Sequence, residues 1–255
     1  MKKVVLSNIL LLLLALARPA WGAAAFVQSN LTNAAASTTS VAVTISAVGS
    51  GNLVSGCVGW TPNPTATLSS VTDDKSNTYT VVDNNGASDA NGQWSTFYLK
   101  NITNGPVTIT ANFSGNATYR VIHVIEASGL DTSAPLDQHT MNFQTTPGTG
   151  TDAVTSGAVT TTANGEFVAA CARKGSSGAS GTYTVGTGYS NLITAGVVVS
   201  ASESRVQTSA GSIAGTFTQS ANNNDSTAIM TFKVPGGGSG STCTGGLLML
   251  GVGGC

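Results

Sequence analysis

The chain is a succession of short segments rich in Val, Thr and Ile, each bounded by Gly, Asn, Asp or Pro. Two of them, Thr44–Ser46 and Thr108–Thr110, alternate polar and apolar residues, as antiparallel strands with one buried face do. Beyond residue 24, no stretch places apolar residues at the 3.6-residue spacing of an amphipathic helix. This pattern predicts an all-β protein, an antiparallel two-sheet β-sandwich of the jelly-roll-like type.

The strand-like segments are separated by polar turn sequences. The longest candidate loop runs from Asp83 to Gly92, and loops carried on a rigid sandwich are common places for binding specificity. The segments predicted as strands lie near residues 41–46, 52–60, 69–73, 78–82, 94–100, 107–113, 120–126, 136–143, 158–162, 166–173, 196–206, 212–218 and 227–234.

Residues 1–24 have the organisation of a secretory signal peptide. Lys2 and Lys3 precede an apolar run, Ile9–Ala17, and small residues follow where a signal peptidase would cleave, after Gly22 or Ala24. The apolar run is too short to cross a bilayer comfortably. We therefore expect a secreted protein, located outside the cell or at its surface.

The rest of the chain divides into a β-sandwich domain, residues 25–234, and a Gly/Ser-rich tail, residues 235–255. The tail contains a short apolar patch, Leu247–Leu250, which suits either a disordered end or the start of a truncated sorting signal. Because this patch is far shorter than a bilayer is thick, no membrane span is expected in the mature chain.

Charge is scarce in this sequence. Only 8% of residues are Asp, Glu, Lys or Arg, against roughly a quarter in an ordinary domain. Three of the 10 basic residues belong to the signal peptide, so 7 remain against 11 acidic residues, a mature net charge of about −4. Nucleic-acid binding requires a cluster of Lys and Arg to neutralise phosphates, and this chain has none. Neutral partners fit this composition better.

Four cysteines in an exported chain favour disulfide bonds. Cys57 and Cys171 end two similar segments, so a weak internal repeat would place them on equivalent strands. A Cys57–Cys171 bridge is our preferred pairing, with two separate buried thiols as the alternative. Cys243 and Cys255 would then close a small terminal loop. Metal binding is not expected, since no CxxC spacing occurs and neither histidine lies near a cysteine.

Aromatic residues make up only 6% of the chain, so those near loops are candidates for ligand contact. Trp60 ends a predicted strand, while Trp94 and Tyr98 share a strand face directly after the long loop. Flat rings of this kind stack on sugars, and Asp83 and Asp89 of the loop could bond sugar hydroxyls. The alternative is that the two tryptophans belong to the edge of the core.

The remaining candidates are histidines and acidic residues. His123 lies in an apolar strand on the face opposite Glu126, which predicts a structural role. Asp137 and His139 fall on one predicted strand face, so an Asp–His pair is geometrically feasible, although no G-x-S-x-G motif supplies a nucleophile. Asp73 and Asp74 lie in a turn where they could cap the backbone or help to hold Ca²⁺. No other cofactor is indicated.

Several segments together resemble a family of uncharacterised secreted bacterial β-sandwich domains, and the resemblance extends over nearly the whole mature chain to about Val234. The segments are Phe26–Asn30, Gly51–Val54, Val71–Asp73, Asn77–Thr80, Glu126–Asp131 and Pro135–Asp137. Members of that family occur alone or beside immunoglobulin-like and lectin-like modules. The resemblance implies a jelly-roll-type sandwich in an extracellular setting, and it brings no established active site.

These observations favour a secreted, non-enzymatic binding module that recognises a glycan or another cell-surface polymer. Two other functions remain open from the sequence. One is a structural subunit of an extracellular layer or filament that associates with itself. The other is a carbohydrate-active hydrolase that uses acidic side chains.

Overall fold

A computed structural model describes residues 22–62, 65–84, 86–89, 92–145, 151–175, 181–220 and 224–236, without the side chains of 62 and 86–89. These residues form antiparallel β-sheets packed against one another, which confirms the predicted β-sandwich class. They include no helix long and apolar enough to cross a bilayer.

The strands fall into two sets of eight. The N-terminal repeat consists of β1 (Ala25–Ala34), β2 (Thr38–Val48), β3 (Leu53–Pro62), β4 (Leu68–Asp73), β5 (Thr80–Val81), β6 (Gly86–Asp89), β7 (Gly92–Leu99) and β8 (Gly105–Ser128). The C-terminal repeat consists of β9 (Leu136–Gln144), β10 (Asp152–Thr160), β11 (Glu166–Lys174), β12 (Tyr183–Thr184), β13 (Ser190–Ala195), β14 (Ser200–Gln207), β15 (Ser212–Gln219) and β16 (Asp225–Phe232).

Each repeat is a sandwich of an outer and an inner sheet. In the N-terminal repeat the long strand β8 serves both: its first part pairs with β2 and β4, and its second part pairs with β1 and β3. Strand β7 extends the inner sheet beyond β3. In the C-terminal repeat the outer sheet has the order β10-β15-β12 and the inner sheet the order β13-β14-β11-β16-β9. The two topologies correspond, with β15 and β16 in place of β8 and with β13 at the edge where β5 and β6 lie in the N-terminal repeat.

The strand registers also match. Cys57 of β3 lies opposite His123 of β8 and Thr96 of β7. Cys171 of β11 lies opposite Ala228 of β16 and Ser202 of β14. The internal repeat suggested by the sequence is therefore real. Each half forms a sandwich around a core of its own.

The two inner sheets pack face to face, and we call their interface the seam. Strand β3 sends Val54, Val58 and Trp60 into the core of the N-terminal repeat, whereas Leu53 and Cys57 face the seam. Strand β11 behaves in the same way, so both strands are buried on both faces. This double burial explains why their sequences lack the polar alternation of the outer strands.

A disulfide bond crosses the seam between Cys57 and Cys171, with their Cα atoms 6.6 Å apart. The pairing confirms the prediction. It also follows from the symmetry, because a residue near the axis that relates two repeats faces its own equivalent. Cys243 and Cys255 lie outside the described residues.

Side chains cover the free edge of each outer sheet. Asn30 Nδ2 donates to the carbonyl of Thr44 at 2.7 Å, and Gln28 Nε2 donates to that of Ser46. In the C-terminal repeat Asn142 Nδ2 donates to the carbonyl of Thr155 at 3.2 Å. These bonds occupy edge groups that could otherwise pair with a strand of another molecule.

Candidate functional site

The predicted candidate Asp83 meets His139 at one edge of the seam. Asp83 follows β5 in the N-terminal repeat, and His139 lies on β9 of the other repeat. The Asp83 Oδ1 and His139 Nδ1 atoms are 2.9 Å apart. Thr96 Oγ1 donates to Asp83 Oδ2 at 2.8 Å, which fixes the carboxylate. We call Asp83, Thr96 and His139 the seam-edge site.

The geometry of this site orients the imidazole. Asp83 Oδ1 accepts a hydrogen bond from Nδ1–H, and in the neutral imidazole this tautomer leaves Nε2 as a hydrogen-bond acceptor. The His139 side chain is 41% exposed and that of Asp83 is 17% exposed. Among the residues that the structure describes, no serine, threonine or cysteine side chain bonds to His139. In the described residues, the Asp83–His139 pair thus supplies a base but no neighbouring nucleophile. Its Nε2 atom is suited to accept a hydrogen bond from a ligand hydroxyl.

The predicted candidate Tyr98 has a partly buried ring within the seam, and no contact joins it to Asp83 or His139 among the described residues. The ring packs at 5.6 Å from that of Phe232, across the seam, with 57° between the planes. Tyr98 is one of the half-buried residues around an apolar seam cluster that includes Leu53 and Phe167. It therefore offers a ligand less than a full ring face.

The two tryptophans predicted as exposed platforms are fully buried, so this part of the prediction is corrected. Trp60 packs at 5.2 Å from Phe113 in the N-terminal core, and its Nε1 donates to the carbonyl of Ala66 at 2.8 Å. Trp94 lies in the seam beside the disulfide. Neither ring can stack on a sugar, and the core-edge alternative describes both correctly.

The predicted long loop contains strand β6, whose backbone pairs with β7 at Asp89 and Gly92. The Asp89 side chain lies outside the described residues. In the Asp73 turn, Oδ1 accepts from the backbone N–H groups of Lys75 and Asn77 at 3.0 and 2.9 Å. Oδ2 accepts from Asn77 and from Tyr79. Backbone and side-chain capping thus accounts for Asp73. The described residues contain no group of three His, Cys, Asp or Glu placed to hold a metal ion.

The Asp137–His139 pair, which the sequence left geometrically feasible, does not form. Strand β9 pairs with β16 through Met230↔His139 and Phe232↔Leu136, so one extra residue is present in β9 between these pairs. This bulge turns Asp137 away from His139. Asp137 bonds to Thr162 within its own repeat, and His139 bonds across the seam to Asp83.

Buried carboxyl groups form a second set of sites, which sequence reasoning missed. Asp225 accepts hydrogen bonds from Gln219 and Tyr183 inside the C-terminal sandwich, and burial raises its pKa to about 7. Burial also raises the pKa of Glu203 to about 8. Glu166 is fully buried at the start of β11. The sequence signal that could have indicated these buried groups is an acidic residue within a strand whose other residues are mostly small or apolar.

Two open cavities, of about 460 and 370 Å³, lie where the two ends of the described chain meet. Their walls include Gly22, the linker between the repeats near Gly129, and Pro235. None of the predicted site residues lines them.

No family model and no curated protein matches this chain. Among solved structures, it aligns with dimeric latent PorU from Porphyromonas gingivalis at 13% identity and a TM-score of 0.25. The alignment covers 81% of this chain and 22% of that chain. A likeness at this TM-score carries no argument about fold or function.

Proposed function

We propose that this protein is an exported, non-enzymatic module that acts as a structural unit outside the cell. The observation that carries the proposal is the seam, where two sandwiches are joined by a disulfide bond and by inner sheets whose strands β3 and β11 are buried on both faces. Disulfides persist in oxidising compartments, which agrees with the leader-like sequence of residues 1–24.

The surface composition supports the same proposal. A mature chain with few charges stays soluble through hydroxyl and amide groups and is suited to contact with neutral surfaces or with copies of itself. The side-chain caps on β2 and β10 disfavour assembly through these two strand edges. Assembly would therefore use surfaces other than these two edges.

The experiment has two parts. The full chain and a variant lacking residues 1–24 are produced in a bacterial host, and the cells are fractionated. We expect only the full chain to be exported, with Cys57 and Cys171 unreactive to thiol reagents. Light scattering of the purified mature protein across a range of concentrations then tests assembly. A chain that stays in the cytoplasm, or that is monomeric at all concentrations, contradicts the proposal.

A second function, recognition of a neutral hydroxyl-rich polymer, is favoured by the seam-edge site. His139 presents a free acceptor there, and Asp83 is held rigidly beside it. A glycan array with the wild type, His139→Ala and the exposed control Asn116→Ala tests this function. Retention of a glycan by the wild type and the control, but not by His139→Ala, would support recognition. Release of sugar that is lost in His139→Ala would favour the hydrolase instead.

A further inference from the structure

The two repeats can be compared at one end of the molecule. In each repeat, a buried carboxylate there accepts hydrogen bonds from the turn between the second and third strands. In the N-terminal repeat, Glu126 Oε1 accepts from the N–H of Gly49 at 2.8 Å and from Asn52 Nδ2 at 2.6 Å. In the C-terminal repeat, Glu166 Oε1 accepts from the N–H groups of Thr162 and Ala163 at 3.1 and 2.8 Å. One carboxylate per repeat is enough for this role.

The C-terminal repeat adds a second carboxyl group and an amine at the same place. Lys233 Nζ lies 4.0 Å from Asp137 Oδ1, and the Asp137 side chain is only 5% exposed. The pair Phe26↔Ala127 in the N-terminal repeat matches the pair Leu136↔Phe232 in the C-terminal repeat. The next residue along each strand is then equivalent as well, so Val27 corresponds to Asp137 and Ser128 to Lys233. The N-terminal repeat thus folds without the carboxyl group and the amine.

Glu166 is placed to act as an acid beside this pair. Its Oε2 atom is buried and makes no hydrogen bond of normal geometry. Burial raises the pKa of Glu166, and the neighbouring Asp137 raises it further, against the lowering effect of bonds from Ala163 and Thr231. A protonated Glu166 explains how two carboxyl groups can lie side by side, because one can donate to the other.

Thr162 prepares Asp137 for attack by an amine. Its N–H donates to Asp137 Oδ2 at 2.8 Å, and its hydroxyl donates to Oδ1 at 2.7 Å. Two donors on the carboxyl oxygens draw electrons from the carboxyl carbon, and they would stabilise the negative charge that develops on oxygen after attack. Lys233 is partly exposed, and its flexible side chain can close the remaining distance.

We propose that Lys233 and Asp137 condense to form an intramolecular isopeptide bond, with Glu166 transferring the protons. The Lys233 ammonium first passes one proton to the Asp137 carboxylate, and the neutral Nζ then attacks Cγ of the resulting carboxylic acid. The new N–C bond forms, protonated Glu166 donates its proton to the hydroxyl group, the C–OH bond breaks to release water, and the nitrogen returns one proton to Glu166. The products are one amide and one water molecule, and no oxidant or reductant is needed.

The bond would tie the end of strand β16 to β9, the first strand of its repeat. Lys233 directly follows β16, and Asp137 lies on β9. A force applied to the chain beyond Pro235 would therefore pass into β9 as well as β16. The inference does not depend on the proposed structural function, since it concerns covalent chemistry alone.

The experiment is intact mass spectrometry of the purified, reduced mature protein, followed by peptide mapping. We expect a mass lower than the sequence mass by one water molecule, and a branched peptide that joins Lys233 to Asp137. Lys233→Arg and Asp137→Ala remove a reacting group, and each should restore the full mass. Glu166→Gln keeps an oxygen that can accept from the N–H groups of Thr162 and Ala163, but it removes the acidic proton. This variant should restore the full mass as well.

Lys100→Arg is the matched control, because Lys100 lies near the same end of the molecule and donates to the carbonyl of Ser133. This variant should retain the loss of water. A wild-type protein of full mass, with Lys233 and Asp137 in separate linear peptides, would overturn the proposal. A loss of water that persists in Lys233→Arg would overturn it too.

Discussion

At the scale of single residues, His123 shows that a titratable side chain can serve packing alone. It is fully buried in the seam, where Nε2 lies 2.9 Å from Ser200 Oγ and Nδ1 lies 3.1 Å from Ser202 Oγ. The Ser200 hydroxyl donates to the carbonyl of Val198, so it accepts from Nε2–H and leaves Nδ1 as the acceptor. Burial lowers the pKa of His123 to about 3, which keeps the ring neutral.

Replacing His123 should therefore destabilise the fold. His123→Ala leaves a cavity and removes the hydrogen-bond partner of two buried serine hydroxyls. We therefore expect a decrease of about 2–4 kcal/mol in the free energy of unfolding. His139→Ala, which removes a partly exposed histidine, should cost less than about 1 kcal/mol. Urea denaturation measures both values. Equal losses for the two variants would contradict the structural role of His123.

The pH dependence of stability should depend on Glu203. Its pKa is raised in the folded state, so the folded protein binds more protons than the unfolded chain, and stability falls as pH rises through the folded pKa of about 8. Asp225, with a pKa of about 7, acts in the same direction. His123 acts in the opposite direction, but only below its unfolded pKa of about 6.5.

The clearest range for this test is about pH 7 to 8.5, and the slope should be at most about 1.4 kcal/mol per pH unit for each proton. Glu203 Oε2 accepts a hydrogen bond from the N–H of Gly186 at 2.8 Å. Glu203→Gln removes the titrating group and keeps an oxygen that can accept this bond. Urea unfolding at several pH values should give a flatter profile for this variant. A wild type that becomes more stable over this range would contradict the assignment.

At the scale of elements, close packing of strands gives one glycine a strict role. A Cβ atom added to Gly56 of β3 would lie 2.1 Å from the carbonyl oxygen of His123 on β8. Backbone on a doubly buried strand cannot move aside easily, so Gly56→Ala should destabilise the protein by more than about 2 kcal/mol. Gly115→Ala is the matched control within β8, since no atom lies within 4 Å of its added Cβ.

Thermal or urea unfolding of the two alanine variants tests this account. Gly115→Ala should change stability by less than about 1 kcal/mol in either direction. If Gly56→Ala were as stable as this control, the close approach of β3 and β8 would be wrong.

The existence of most strands could be read from the sequence because alternation and turn residues are local signals. Strands β2, β3, β9, β11 and β15 lie where they were predicted, within a few residues. The β9 bulge has no local signal, and it separated Asp137 from His139. The continuity of β8 past Ser114 was also missed, because polar residues near its bend resemble a turn.

At the scale of the whole molecule, the seam determined which site predictions failed. Trp94 is buried because the two sandwiches pack against each other, whereas Trp60 is buried within the core of the N-terminal repeat. The contact of His139 with Asp83 joins the two repeats over 56 residues, so no local pattern could reveal it. The disulfide was predictable because it joins equivalent residues of the two repeats, and the segments that end in these cysteines are similar in sequence.

Removing the disulfide tests how much of the stability of the two-repeat assembly depends on it. The bridge closes a loop with a sequence separation of 114 residues, so chain entropy predicts a loss of about 4–5 kcal/mol in Cys57→Ala/Cys171→Ala. The apolar seam should nevertheless keep the repeats together, because strands β3 and β11 remain buried on both faces. We therefore expect a lower urea midpoint with a single cooperative transition.

Reduction of the wild type provides the control, since it breaks the same bond without changing a side chain in the seam. It should lower the midpoint by a similar amount, provided that the reductant reaches the buried bridge after transient opening. Two separate transitions after removal of the bridge would show that the sheets alone do not couple the repeats. The repeats would then depend on the oxidised bond for their association, and the role of an oxidising compartment would extend from stability to assembly of the fold itself.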